Sequence, residues 1–279
     1  MPSMSTPPQT PPMALPTLSM AGKVCMVTGG ARGLGFEFCR AFVQSGCTSV
    51  VILDLRESDT IEAAAELSRF AVSLGFSEKD INFIGISCDV SSEEAVITAY
   101  NMIMEKFGRI DAVVASAGVV ENYSALDYPA DRVKFLFDIN FHGVLYTARE
   151  AARRMIPNGG GSVILISSMS ASIVNIPQAQ APYNASKAAV KHLAASLAVE
   201  WAKDGVRVNC ISPGYMLTKL TKQVLSKDPA LKATWETMTP MGRMGDPSDL
   251  SGAVVLLASD ASKFITGTEI KVDGGYCAI

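Results

Sequence analysis

The chain has 279 residues, 48% of them hydrophobic and 18% charged, enough for one large α/β domain or two small ones. Its net charge is −3 and no lysine or arginine run stands out, so nucleic acid and anionic membrane surfaces are poor expectations as partners. Six scattered cysteines and only two histidines, His142 and His192, favour a reduced, cytoplasmic setting over a disulfide framework and argue against metal catalysis.

Residues 1–20 hold six of the fourteen prolines and no charged side chain, a composition that blocks helix and sheet and reads as a flexible tail. They lack the basic start of a secretory signal and the arginines of a mitochondrial presequence. No apolar run approaches the length of a membrane span. From Gly22 onward, β-branched runs alternate with amphipathic stretches. Strands are expected at Lys23–Thr28, Ser49–Leu53, Ile81–Ser87, Ile110–Ala115, Val163–Ile166, Val206–Ile211 and Glu269–Val272. Helices are expected at Gly33–Gly46, Ile61–Leu74, Glu93–Phe107, Val133–Met155, Tyr183–Lys203 and Leu250–Leu257. Such alternation builds right-handed βαβ units, and with no internal repeat or linker it predicts one domain over 21–279. The fold class is α/β: a single-domain, Rossmann-like, doubly wound parallel sheet of about seven strands with helices on both faces.

The first strand runs into Thr28-Gly-Gly-Ala-Arg-Gly-Leu-Gly35, which opens the first helix. Glycines there let the backbone turn tightly and approach a pyrophosphate lying on the helix N-terminus. Gly29, Arg32, Gly33, Leu34 and Gly35 are therefore candidate cofactor-binding residues. Asp54, ending the second strand, stands where a dinucleotide fold places the acid that binds the adenosine ribose. Its charge would repel a 2′-phosphate and favours NAD, whereas Arg32 and Arg56 pull toward NADP. Asp89-Val90 closes the third strand, where Asp89 would reach the adenine amino group, and Ala117-Gly118 follows the fourth, letting backbone lie against the ligand.

Tyr183 and Lys187 lie four residues apart at the start of the alanine-rich helix, so phenol and ammonium share one face. An ammonium favours phenolate and lowers the tyrosine pKa toward working pH, which makes the phenol a usable general acid or base. The apolar run before it ends in Ser167-Ser168.

With these pieces in order, residues 21–279 resemble the short-chain dehydrogenase/reductase family. The resemblance is carried by Thr28-GGARGLG, Asp89-Val90, Ser116-Ala-Gly118, Asn140-Phe-His-Gly143, the Ser168/Tyr183/Lys187 set and Pro213-Gly214. One departure is Ala115-Ser116, where the family usually has two asparagines, which is expected to loosen a turn without touching the chemistry. The resemblance implies that Tyr183 is the acid/base and that Lys187 lowers its pKa and binds the nicotinamide ribose. Ser168 would stabilise developing alkoxide charge, and Asn140 would hold a proton-relaying water. Ser170 stands at the family's commonest spacing ahead of Tyr183, but Ser168, two residues earlier, sits at the strand end and is preferred. Pro213-Gly214 would border the nicotinamide and Thr218 would bond its carboxamide. The family is commonly tetrameric through its two long helices and last strand, so a homotetramer is expected.

Ile211-Ser-Pro-Gly-Tyr215, Thr239-Pro-Met-Gly-Arg243, Val272-Asp-Gly-Gly-Tyr276, Met169-Ser170 and Asn175-Ile-Pro-Gln178 are similar to fungal polyol dehydrogenases and ketose reductases. That implies a small-molecule substrate, a sugar alcohol/ketose pair, whose hydroxyls Asn175, Gln178 and Gln180 would bind. Residues Tyr215 to Gly245, with Met216, Leu217, Leu220, Trp235, Met238 and Met241, read as a substrate lid that would equally suit a lipophilic ketone or secondary metabolite. A non-catalytic nucleotide-binding scaffold is the remaining alternative, disfavoured because a scaffold needs no tuned tyrosine.

Overall fold

A computed structural model describes residues 15–226 and 228–279. Seven strands form one wholly parallel sheet in the order β3-β2-β1-β4-β5-β6-β7. They are β1 (Val24–Thr28), β2 (Ser49–Asp54), β3 (Asn82–Ser87), β4 (Ala112–Ala115), β5 (Gly161–Ile166), β6 (Val206–Pro213) and β7 (Glu269–Val272). Strand side chains alternate between two cores. Cys25, Val27, Val50, Ile52, Val114 and Ile164 meet helices α1 (Gly33–Gln44), α2 (Glu57–Ser73) and a C-terminal helix, Ser251–Ala258. Met26, Val51, Leu53, Val113, Val163 and Leu165 meet α3 (Glu93–Phe107) and the helices Val144–Met155 and Ala181–Trp201 on the other face. Near-continuous apolar strands are what a sheet covered on both faces requires. Strand order reverses between β1 and β4, so a crevice opens beyond the carboxyl ends of those two strands.

Three departures from the sequence reading follow. The expected helix over 133–155 is broken: α4 (Ala130–Phe137) passes through a π-helical stretch, Asp138–Gly143, into α5 (Val144–Met155). After the helix α6 (Ala181–Trp201) and β6, the lid carries two helices that hydropathy did not single out, α7 (Lys219–Leu225) and α8 (Pro229–Thr237), ahead of α9 (Ser251–Ala258). The folded region starts earlier than residue 21. Pro16–Leu18 forms a 3-10 turn and Met20 is wholly buried beside Cys47 and Phe42 in the first core. The expectation of a flexible tail over residues 1–14 lies outside the described residues, as does that for the Leu220 side chain. Among the described residues no helix is long and apolar enough to cross a membrane.

Candidate active site

Because β1 to β6 are parallel, their carboxyl ends deliver every candidate residue to one edge of the sheet. The glycine loop leaves β1 and folds tightly on itself. A Cβ at Gly35 would lie 2.1 Å from the Gly29 carbonyl oxygen, and one at Gly29, whose φ is +63°, would lie 2.8 Å from Ala117 Cα. Arg32, exposed at the N-cap of α1, offers no side-chain cap. The first-turn amides of Gly33, Leu34 and Gly35 are thus left facing outward, a donor set that fits a phosphate. Asp54 stands against this loop: one carboxylate oxygen accepts from the Ala31 N–H at 3.2 Å and the other from Leu55 N–H at 2.8 Å. The residues present therefore fit a dinucleotide.

Beyond β4 the chain is pinned from two sides. Thr28 Oγ1 accepts from the amides of Ser116 (3.1 Å) and Ala117 (3.2 Å), so the turn expected to be loosened by Ala115-Ser116 is held by β1 instead. Asn140, wholly buried in the π-helical stretch, accepts from Val119 N–H at 2.8 Å and donates to the Val119 carbonyl at 2.9 Å. Its amide also donates to Ser186 Oγ at 3.2 Å, and Ser186 donates to the Tyr183 carbonyl at 2.7 Å. The Asn140 amide thus joins the β4 loop to α6. Gly118 closes the same group: a Cβ there would lie 3.3 Å from Asn140 Oδ1 and 3.4 Å from Lys187 Nζ. Val90 packs where Gly143 leaves room for it, since a Cβ on Gly143 would fall 2.8 Å from Val90 Cγ2. Asp89 caps the turn after β3, accepting from both the amide and the hydroxyl of Ser91.

Ser168, Tyr183 and Lys187 meet at the ends of β5 and α6. The buried Lys187 ammonium donates to the Ile166 carbonyl at 3.0 Å, and Ser167 Oγ donates to the Lys187 carbonyl at 2.8 Å. Burial brings the Lys187 pKa down to about 8. Its Nζ lies 5.7 Å from the Tyr183 ring centroid. The expected fall in the Tyr183 pKa is not what the protein alone produces: burial pushes the phenol up, and the Ser168 hydroxyl is the group that pulls it down. Burial of the phenol is the larger of the two effects. The Ser168 hydroxyl donates to Ser170 Oγ at 3.0 Å, which places both candidate serines side by side at the end of β5.

Toward the lid, Gly214 packs against Asp273, whose Cα would be 2.7 Å from an added Cβ, leaving the backbone after Pro213 open on its other side. The Thr218 hydroxyl lies 2.8 Å from Thr221 Oγ1 and accepts from the Thr221 amide, which caps the start of α7. Asn175, Gln178 and Gln180 are bonded to protein rather than presented to a ligand. Asn175 donates to the Tyr215 hydroxyl at 3.1 Å and accepts from Gln180 at 2.9 Å. Tyr215, read from the sequence only as the start of the lid, is where these amides converge. The available signal was an aromatic directly after Pro213-Gly214.

A family model described as enoyl-(acyl carrier protein) reductase matches residues 29–277. A short-chain type dehydrogenase/reductase from Mycobacterium marinum superposes with a TM-score of 0.84 at 35% identity, covering 93% of this chain and 97% of that one. The chain belongs to the short-chain dehydrogenase/reductase family. It is a nicotinamide-dependent oxidoreductase acting on a CH–OH group. Over 268 residues it is 40% identical to a D-arabinitol 2-dehydrogenase (ribulose-forming) of Candida tropicalis, covering 94% of this chain and 95% of the relative. An NADH-dependent L-xylulose reductase of Ambrosiozyma monospora is 36% identical over 267 residues, covering 94% and 97%. The structure of an NADPH-dependent 3-quinuclidinone reductase from Rhodotorula rubra superposes with a TM-score of 0.85 at 36% identity over the whole of both chains.

Proposed function

We propose that this enzyme interconverts a sugar alcohol and its ketose with NAD. The observation that carries the reading is the buried Lys187 ammonium beside the Tyr183 ring, held at the end of β5 where Ser168 lies, on the sheet edge that bears the glycine loop. When bound, the nicotinamide ring supplies the hydride acceptor or donor. Gly29, Arg32, Gly33, Leu34 and Gly35 would hold its pyrophosphate, and Asp54 and Asp89 the adenosine half. Ala117, Gly118, Pro213 and Gly214 would wall the nicotinamide half. In oxidation Tyr183 takes the hydroxyl proton as the carbonyl forms, and in reduction it returns one to the carbonyl oxygen. Ser168 donates to that same oxygen and steadies its charge while it is alkoxide-like. Lys187 is near enough to neutrality to pass a proton and orients the ribose, and Asn140 keeps the Ser116–Val119 wall fixed beside it. Support for a polyol comes from the arabinitol and xylulose relatives. Support for NAD comes from Asp54 at the end of β2 beside the glycine loop, where its charge would repel a 2′-phosphate.

A second reading, reduction of a lipophilic ketone with NADPH, has one observation in its favour. Tyr215 and Trp235 stack with Leu217, Leu231 and Met244 in an apolar cluster within the lid, and the quinuclidinone reductase is a structural neighbour. Initial rates with D-arabinitol, D-mannitol, D-sorbitol and xylitol, each against NAD and NADP, separate the two. Turnover of a polyol with NAD preferred is expected. Preference for NADP would overturn the Asp54 argument, and turnover of hydrophobic ketones alone would overturn the substrate. Tyr183→Phe should lower kcat at least about 100-fold while cofactor still binds, the scale of a lost general acid/base. The setting we infer is cytoplasmic, in keeping with six free cysteines, and the assembly a homotetramer.

A further inference from the structure

We propose that Tyr215 is the positioning residue of the substrate lid, a latch that ties α8 to the loop carrying Ser168 and Tyr183. Three chain segments converge on it. Its ring stacks on Trp235 of α8 with centroids 4.0 Å apart and planes 7° apart, and it meets the edge of Tyr276, near the C-terminus, at 5.5 Å. Its hydroxyl accepts from Asn175 Nδ2. The Gln178 amide satisfies all its neighbours with its nitrogen on the Ile176 carbonyl at 3.0 Å. Its oxygen then accepts from both the Tyr215 hydroxyl and the Trp235 indole N–H, each at 3.3 Å. On the other side Gln180 donates to Asn175 at 2.9 Å and to Asn184 at 3.0 Å, and Asn184 is the residue after Tyr183. One polar chain therefore runs from the first turn of α6, through Asn175 and Tyr215, to α8.

The lid is fastened at its root as well. Leu217 N–H donates to the Gly245 carbonyl at 2.7 Å, and Gly245 N–H to the Tyr215 carbonyl at 2.9 Å, so both ends of the lid meet at Tyr215. The segment between them touches the catalytic loop through Gln178 and Trp235, with Tyr215 as the common partner. Asn175 and Gln180 are buried, and a buried amide deprived of its acceptor is costly, so the latch has a strong preference for being made. A closed lid excludes water and confines the substrate, whereas the proton transfer itself depends on Ser168 and Tyr183. Tyr215 thus governs how firmly substrate is held rather than how fast it reacts once held.

The inference rests on the reading of this cleft as an alcohol/ketone oxidoreductase site, but not on which alcohol it takes. Tyr215→Phe keeps the stacked ring and removes the hydroxyl, and Gln178→Met removes the arm to Trp235 while leaving Asn175 in place. With the polyol that the wild type turns over, both variants should raise KM roughly tenfold, the scale of one net hydrogen bond. The kcat and the cofactor KM should stay close to the wild-type values, while Tyr215→Phe, which leaves the buried Asn175 amide without its acceptor, should melt somewhat lower. A second readout needs no substrate: trypsin should cut at Lys219, Lys222 or Lys232 of the lid faster in both variants. Failure of the wild type to turn over any polyol sinks the substrate reading, and the proteolysis then decides the latch by itself. Wild-type cleavage rates in both variants overturn it. So does a rise in cofactor KM with a parallel fall in melting temperature, which is the mark of a merely structural tyrosine.

Discussion

Lys187 shows what a catalytic geometry costs the fold. Its ammonium is only 5% exposed and its one hydrogen-bond acceptor is the Ile166 carbonyl, so burial takes its pKa from 10.5 to about 8. Below pH 8 the folded and unfolded chains both hold the proton, and the folded state carries the full penalty of a buried charge. Between about pH 8 and 10.5 the unfolded chain holds a proton that the folded chain does not, so this site's contribution to stability rises with pH. A shift of that size corresponds to about 3 kcal/mol. Urea unfolding of the wild type and Lys187→Met across pH 7 to 10.5 should therefore diverge. Relative to the variant, the wild type gains about that much over the window, and a difference that stays flat with pH would show that the ammonium is not desolvated. The residues that bear this chemistry were legible in the sequence because strand ends and a four-residue helical spacing fix where they point. The direction of the Tyr183 shift was not, since it depends on burial, which spacing does not encode. The partners of the Asn140 amide were illegible for a similar reason: Val119 and Ser186 lie 21 and 46 residues away in sequence.

At the scale of elements, the sheet was readable because strands buried on both faces are apolar throughout, and each run matched a strand to within two residues at either end. The break at Asp138–Gly143 was not, because no proline marks it and hydropathy continues across it. The helix α8 did carry a signal: Asp228 accepts from Leu231 N–H and Pro229 occupies the first turn, an N-cap pattern that hydropathy alone overlooks. The glycine loop is the element whose sequence and geometry agree most closely, and it yields a direct prediction. Gly35→Ala would set a methyl 2.1 Å from the Gly29 carbonyl oxygen, where backbone rather than a flexible side chain must move. Overpacking of this kind costs about 1–3 kcal/mol. The variant should melt lower and show a cofactor KM raised at least about tenfold, since the displaced loop is the one that holds the pyrophosphate. An unchanged cofactor KM, measured at saturating substrate, would separate the loop from cofactor binding.

Over the whole molecule, the two cores account for nearly all large apolar side chains on strands, yet several elsewhere remain uncovered. Val199 on α6 is 83% exposed and Phe264, just before β7, is fully exposed. β7 is the last strand of the sheet and pairs only with β6, so its other edge is unpaired among the described residues. An exposed apolar side chain on a helix and an open strand edge are both surfaces that association with another copy would cover. Both would support the homotetramer proposed above, with α6 and β7 in two different contacts. Sedimentation equilibrium should therefore give four chain masses for the wild type. Val199→Glu should break the contact through α6 and leave dimers, with little change in the unfolding of each subunit, because the side chain it replaces is packed against nothing in its own chain. A wild type that sediments as a single chain would overturn the assembly, and would mean that the exposed Phe264 and Val199 serve some other contact.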